Sequence, residues 1–146
     1  MSINPFKSRR YALAIVVFLA AALTGPSGMA TAGEMKVNLS GDQEVPPVQT
    51  SASGSGTITV EDDKSIKGKI TVTDIKPTGV HIHEAPTGKT GEPIITLEKT
   101  GENEWSIPSG AKLTDAQYDA AKAGGLYVNI HSSEHKGGEL RGQIKR

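Results

Sequence analysis

A chain of 146 residues has the length of one domain. It contains no cysteine, which excludes a disulfide framework and any thiolate metal site, so a bound ion would take nitrogen and oxygen ligands. Its 16 basic and 16 acidic residues balance, and no basic excess marks it for nucleic acid.

The first 32 residues read as a secretory signal peptide. "MSINPFKSRR" carries Lys7, Arg9 and Arg10 and no acid; an apolar run, "YALAIVVFLAAAL", and the small residues of "TGPSGMATAG" follow it. The small-x-small site is Ala30-Thr31-Ala32, which predicts a mature start near Gly33. The apolar run falls short of the roughly 18 to 20 residues that span a bilayer, so a cleaved leader is expected, not an anchor. A bare Arg9-Arg10 pair does not establish a twin-arginine route. The expectation is therefore a periplasmic or secreted domain over residues 33–146, with no membrane span after cleavage. Losing the leader leaves 13 basic against 16 acidic residues, a net of −3, with no footprint for nucleic acid or an anionic membrane.

Strand signals dominate the rest. "MKVNLS" (35–40), "GTITVED" (56–62) and "SIKGKITVTDI" (65–75) alternate apolar and polar residues at period two. "GVHIHEA" (79–85), "EPIITLE" (92–98), "EWSI" (104–107), "GLYVNIH" (125–131) and "GELRGQIK" (138–145) complete the set. Gly, Asp, Asn and Pro clusters separate the runs, and their spacing points to an all-β sandwich or barrel. Residues 40–56 are rich in Pro, Ser and Gly and read as an ordered loop with a flexible approach to the second strand. Within "KLTDAQYDAAKAGG" (112–125), Thr114 is a candidate N-cap, Asp115 suits the first turn and Gly124-Gly125 a stop. One helix of about ten residues is predicted there, crossing between strands.

All four histidines fall in two short runs. His81 and His83 are at i and i+2 of a strand, so they share a face with Cα atoms roughly 6.5 to 7 Å apart, near enough to converge on one ion. Ile82 then points into the core. In "LYVNIH", Tyr127, Asn129 and His131 share one face and Val128 and Ile130 the other. If the two strands are near neighbours, His131 supplies a third nitrogen. His135, in the following turn, either closes the site or stays in solvent. Glu84 points away from the His83 face on a regular strand, and Met35 is the sole methionine outside the leader, too few for a thioether copper(I) site. Neutral imidazoles suit copper or zinc. A His-x-His pair is otherwise a pair of surface imidazoles, and acid–base catalysis by histidine finds no nucleophile motif or phosphate loop beside it.

"LSGDQEVPPV", "GVHIHEAPTGKTGEPI" and "LYVNIHSSEHKGGELRGQI", spread from Leu39 to Ile144, resemble a bacterial CHRD domain, the module named for chordin. The resemblance implies a Greek-key β-sandwich of immunoglobulin type, and a distant likeness to copper-zinc superoxide dismutase, whose copper strand carries a similar Gly-x-His-x-His-Glu run. Through it, His81 and His83 match the paired histidines of both families and His131 the histidine of an Asn-x-His motif; His135 departs from the pattern. Only "EAPTGKTGEP" follows His83, so the long zinc loop of the dismutases is missing, as is their disulfide. Glu139 and Arg141 alternate in the last run and are expected to share a face; the first reading of the pair is structural, the two residues pairing with each other, and the second that they flank the site. In animals these modules sit in a secreted growth-factor antagonist, which implies binding more than turnover.

Three functions follow as expectations. The first is an exported copper-binding protein, with zinc as the alternative ion. It would use His81, His83, His131 and, as a fourth candidate, His135, to hold copper outside the cytoplasm or pass it between a donor and an acceptor protein. The second is a copper-dependent redox enzyme with Arg141 as the cation guiding its substrate. The third is a metal-free protein-interaction module.

Overall fold

The computed structural model describes residues 33–146; the leader expected over 1–32 lies outside them. Nine strands and one helix follow in the order β1 (Glu34–Leu39), β2 (Ser53–Val60), β3 (Ile66–Thr73), β4 (Pro77–Glu84), β5 (Pro93–Thr96), β6 (Glu98–Lys99), β7 (Glu104–Ser106), α1 (Asp115–Lys122), β8 (Leu126–Ser132) and β9 (Leu140–Ile144). They form two antiparallel sheets, β1-β2-β3-β7-β6 and β5-β4-β8-β9. The result is the expected all-β sandwich with one helix crossing from the first sheet to the second. No helix among the described residues is long and apolar enough to cross a membrane.

The period-two pattern becomes the core directly. Ile58 and Ile70 from one sheet meet Ile82, Leu126, Val128, Ile130, Leu140 and Ile144 from the other, all with no exposed surface. Each such side chain contributes roughly 1.5–3 kcal/mol on leaving water. Thr114 caps α1 as expected: Gln117 N–H donates to its Oγ1 at 3.2 Å, and its own N–H donates to Gln117 Oε1 at 2.9 Å. That reciprocal pair satisfies two donors that a helix start leaves free.

Two departures from the sequence reading have physical causes. The run 92–98 is not one strand. It is β5 in the second sheet and β6 in the first, and buried Leu97 turns the corner, its N–H bound to Val80 O at 2.9 Å. Residues 53–56 are not a flexible approach either. They open β2, where Gly54, Ser55 and Gly56 pair with β1 on one side and all four residues pair with β3 on the other. Two flanking strands satisfy the backbone of this Ser/Gly stretch, whatever its weak intrinsic preference.

Candidate metal centre

The second sheet is buried on both faces along most of β8 and β9. Its inner face is apolar, while its outer face presents His83, Tyr127, Asn129, Arg141 and Gln143, each under loops and each at most 8 % exposed. β4 and β8 are antiparallel neighbours, with Gly79 opposite His131, His81 opposite Asn129 and His83 opposite Tyr127. His131 therefore sits diagonally beside His81. Gly79 leaves the space between them free, since a Cβ there would lie 3.2 Å from His81 Cε1.

His81, His83 and His131 come together. One ring nitrogen from each lies within 4.8 Å of the others, and the ring centroids are 4.9 to 5.8 Å apart. Two ligands on one ion at about 2.0–2.1 Å stand no more than about 4 Å apart, so closing on an ion asks for only small ring movements. His135 is not part of the group. It lies in the turn after β8, where its carbonyl accepts from Ser132 N–H at 3.3 Å and Gly138 N–H at 3.0 Å.

The hydrogen bonds fix which nitrogens are available. His83 Nδ1 is 2.8 Å from Gly91 O, and His131 Nδ1 is 2.8 Å from Lys136 O. A carbonyl only accepts, so both Nδ1 atoms carry the proton and both Nε2 lone pairs are free. Among the described residues, the buried side-chain nitrogens and oxygens without a partner are His81 Nδ1, His83 Nε2 and His131 Nε2. An unpartnered buried polar atom costs about 1–3 kcal/mol. Three at one place is a concentrated cost, which an ion accepting all three lone pairs would remove.

Their surroundings favour the neutral form of His81 and His83. Burial pushes the His81 imidazole below its ordinary pKa, and the nearby His131 and His83 rings push the same way. Burial does the same to His83; its bond to Gly91 O opposes the shift, and the charges of His131 and Arg141 add to it. Neutral imidazole is the form that binds a metal.

Arg141 corrects an expectation. Its side chain is on the outer face, but only 2 % of the residue is exposed, so it is no guide for an incoming anion. Nor does it pair with Glu139, which precedes β9 and accepts from the Thr50 hydroxyl at 2.7 Å. Glu84, at the end of β4, is exposed to solvent. Gly91 was not singled out from the sequence, because what it contributes is a backbone carbonyl. A Cβ there would meet Glu84 O at 1.8 Å, so only glycine lets this carbonyl reach His83.

Fold and site together define a class: a small two-sheet β-sandwich with an imidazole triad on the outer face of one sheet. The chain belongs to the CHRD domain family, whose model matches residues 35–144. No match is found among the curated proteins or the solved structures.

Proposed function

We propose that this CHRD domain binds one copper ion through His81, His83 and His131, and that it holds or hands on copper outside the cytoplasm. The observation that carries the reading is the convergence of three buried ring nitrogens with no other partner. Two of them are set in the ligand tautomer by backbone carbonyls, the usual support of a metal-bound imidazole. An all-nitrogen donor set favours copper(II) in the affinity order of divalent ions, with zinc next to it. The leader-like first 32 residues support a place beyond the cytoplasmic membrane. A copper donor or acceptor protein is the implied partner.

The test is calorimetric titration of the metal-free protein with Cu(II) and with Zn(II), alongside the double variant His81→Ala/His83→Ala. One ion per chain is expected for the wild type and no stoichiometric uptake by the variant. Equal affinity in the two proteins would refute the assignment.

A further inference from the structure

Arg141 is a buried cation, and no ion pair among the described residues involves it. A charge in that position is costly unless its donors are well matched. Here they are met by two main-chain carbonyls and one side-chain amide: Nη1 donates to Lys89 O at 2.6 Å, and Nη2 donates to Pro86 O at 3.1 Å and to Gln143 Oε1 at 2.9 Å. The guanidinium also lies 3.6 Å from the centre of the Tyr127 ring. That ring, from the middle strand, stacks on His83 of the strand beyond, centroids 5.0 Å apart and planes 20° from parallel.

Segment 85–91 is held at four points. Gln143 Nε2 donates to Ala85 O at 2.9 Å. Arg141 takes Pro86 O and Lys89 O. Gly91 N–H donates to the Tyr127 hydroxyl at 3.2 Å, and Gly91 O accepts from His83 Nδ1 at 2.8 Å. A guanidinium reaches two carbonyls and stacks on a ring at once because it is planar and forked, which an ammonium is not.

We propose that Arg141 is a positioning residue of the imidazole triad. It clamps segment 85–91 so that the Gly91 carbonyl holds His83 in the Nδ1–H tautomer, with Nε2 turned toward His81 and His131 before any ion arrives. The purpose of the clamp rests on the copper-binding reading; the clamp itself does not. His131 is held separately, by Lys136 O in the turn after β8, and so serves as an internal reference.

The test is the imidazole nitrogen spectrum of metal-free wild type, Arg141→Met and Tyr127→Phe, followed by Cu(II) affinity and the electron paramagnetic resonance of the loaded proteins. Wild type should show His83 and His131 both as Nδ1–H tautomers. Folded Arg141→Met should lose the defined His83 tautomer and keep that of His131. Its Cu(II) affinity should fall about 10- to 100-fold, the usual effect of removing an outer partner of a ligand, with an altered copper hyperfine splitting. Tyr127→Phe, which keeps the ring and loses only the hydroxyl on Gly91, should move His83 in the same direction by less; it decides the matter if Arg141→Met does not fold. An unchanged His83 tautomer in a folded variant would overturn the proposal, and so would equal loss at His83 and His131, the sign of general loosening. If wild type takes up no copper yet Arg141→Met still frees His83, the clamp stands and the metal reading falls.

Discussion

Replacing His81 by alanine should have different consequences in the metal-free and the copper-loaded protein. The His81 ring buries an Nδ1 with no partner, a cost of about 1–3 kcal/mol, and truncation removes it. Truncation also loses the packing of the ring against His131, 4.9 Å away, worth roughly 1–2 kcal/mol for a half-buried side chain. The two nearly cancel, so the metal-free variant should lie within about 1 kcal/mol of wild type. On the proposed reading, copper at a hundred times its Kd would stabilise the wild-type fold by about 2.7 kcal/mol, a rise in Tm of roughly 10 °C for a domain of this size. A variant binding a hundredfold more weakly would keep only about 0.4 kcal/mol at the same copper concentration, or about 2 °C. The assay is thermal unfolding by circular dichroism, with and without Cu(II), with His135→Ala as the control that should retain the full rise. A copper-induced rise in His81→Ala equal to that of wild type would refute the reasoning, as would its loss in His135→Ala. A metal-free His81→Ala several kcal/mol less stable would show that the unpartnered nitrogen carries no such cost.

Gly91→Ala should destabilise the fold by about 2 kcal/mol or more, since the added Cβ meets Glu84 O, and should shrink the copper-induced rise in Tm; urea unfolding with and without Cu(II) reads both, and a variant unchanged in either would count against the close approach. Thr114→Ala should cost about 1 kcal/mol by losing the helix cap while leaving the copper increment intact, and a copper increment that fell with it would tie α1 to the site. Glu44 gives a pH dependence. Burial raises its carboxyl above the ordinary value, against the lowering effects of the Asn129 hydrogen bond and Arg141. A raised folded-state pKa gives stability that is present below the unfolded-state pKa near 4.5 and lost as pH rises through the folded-state value. Glu44→Gln keeps an acceptor for Asn129 without the charge, so its urea midpoint should gain on wild type as pH rises from 4 to 7; a constant or shrinking difference would contradict the assignment.

The strand frame was legible because alternation is a local property, and Ile82 flanked by His81 and His83 carries its own orientation. The crossing helix was legible for the same reason, its cap and stop being neighbours in sequence. The partnership of His131 with the pair was not. Period-two patterning says which face a residue occupies but not which strand lies beside it, and β4 and β8 are separated along the chain by β5, by two strands of the other sheet, β6 and β7, and by a helix. From the sequence that partnership stood only as a condition, that the two strands be near neighbours, which the pairing of β4 with β8 meets. Arg141 was placed on the right face, but its expected partner Glu139 was wrong, because two of its actual partners are main-chain carbonyls of segment 85–91, which leave no mark in residue identity. The corner at Leu97 was hidden likewise: an apolar run looks the same whether it stays in one sheet or changes sheets.

The outer face of the second sheet carries the strongest argument for a ligand. Strands covered on both sides usually read as continuous apolar runs, whereas β8 and β9, buried along nearly their whole length, alternate Tyr, Asn and Arg, Gln with the core residues. Such a layer is stable only where covering segments satisfy it, and they do: Glu44 for Asn129, Ala85 and Gly124 for Gln143, Pro86 and Lys89 for Arg141, Gly91 for His83 Nδ1. If the histidines were packing residues alone, polar atoms left without partners would be expected wherever the fit happened to fail. Among the described residues they are three, all on imidazoles, and those imidazoles are the ones the sheet brings together. A layer matched elsewhere and unmatched only where three imidazoles converge is the pattern on which the proposed ion rests, and a wild type that takes up no ion would leave those three nitrogens without an explanation.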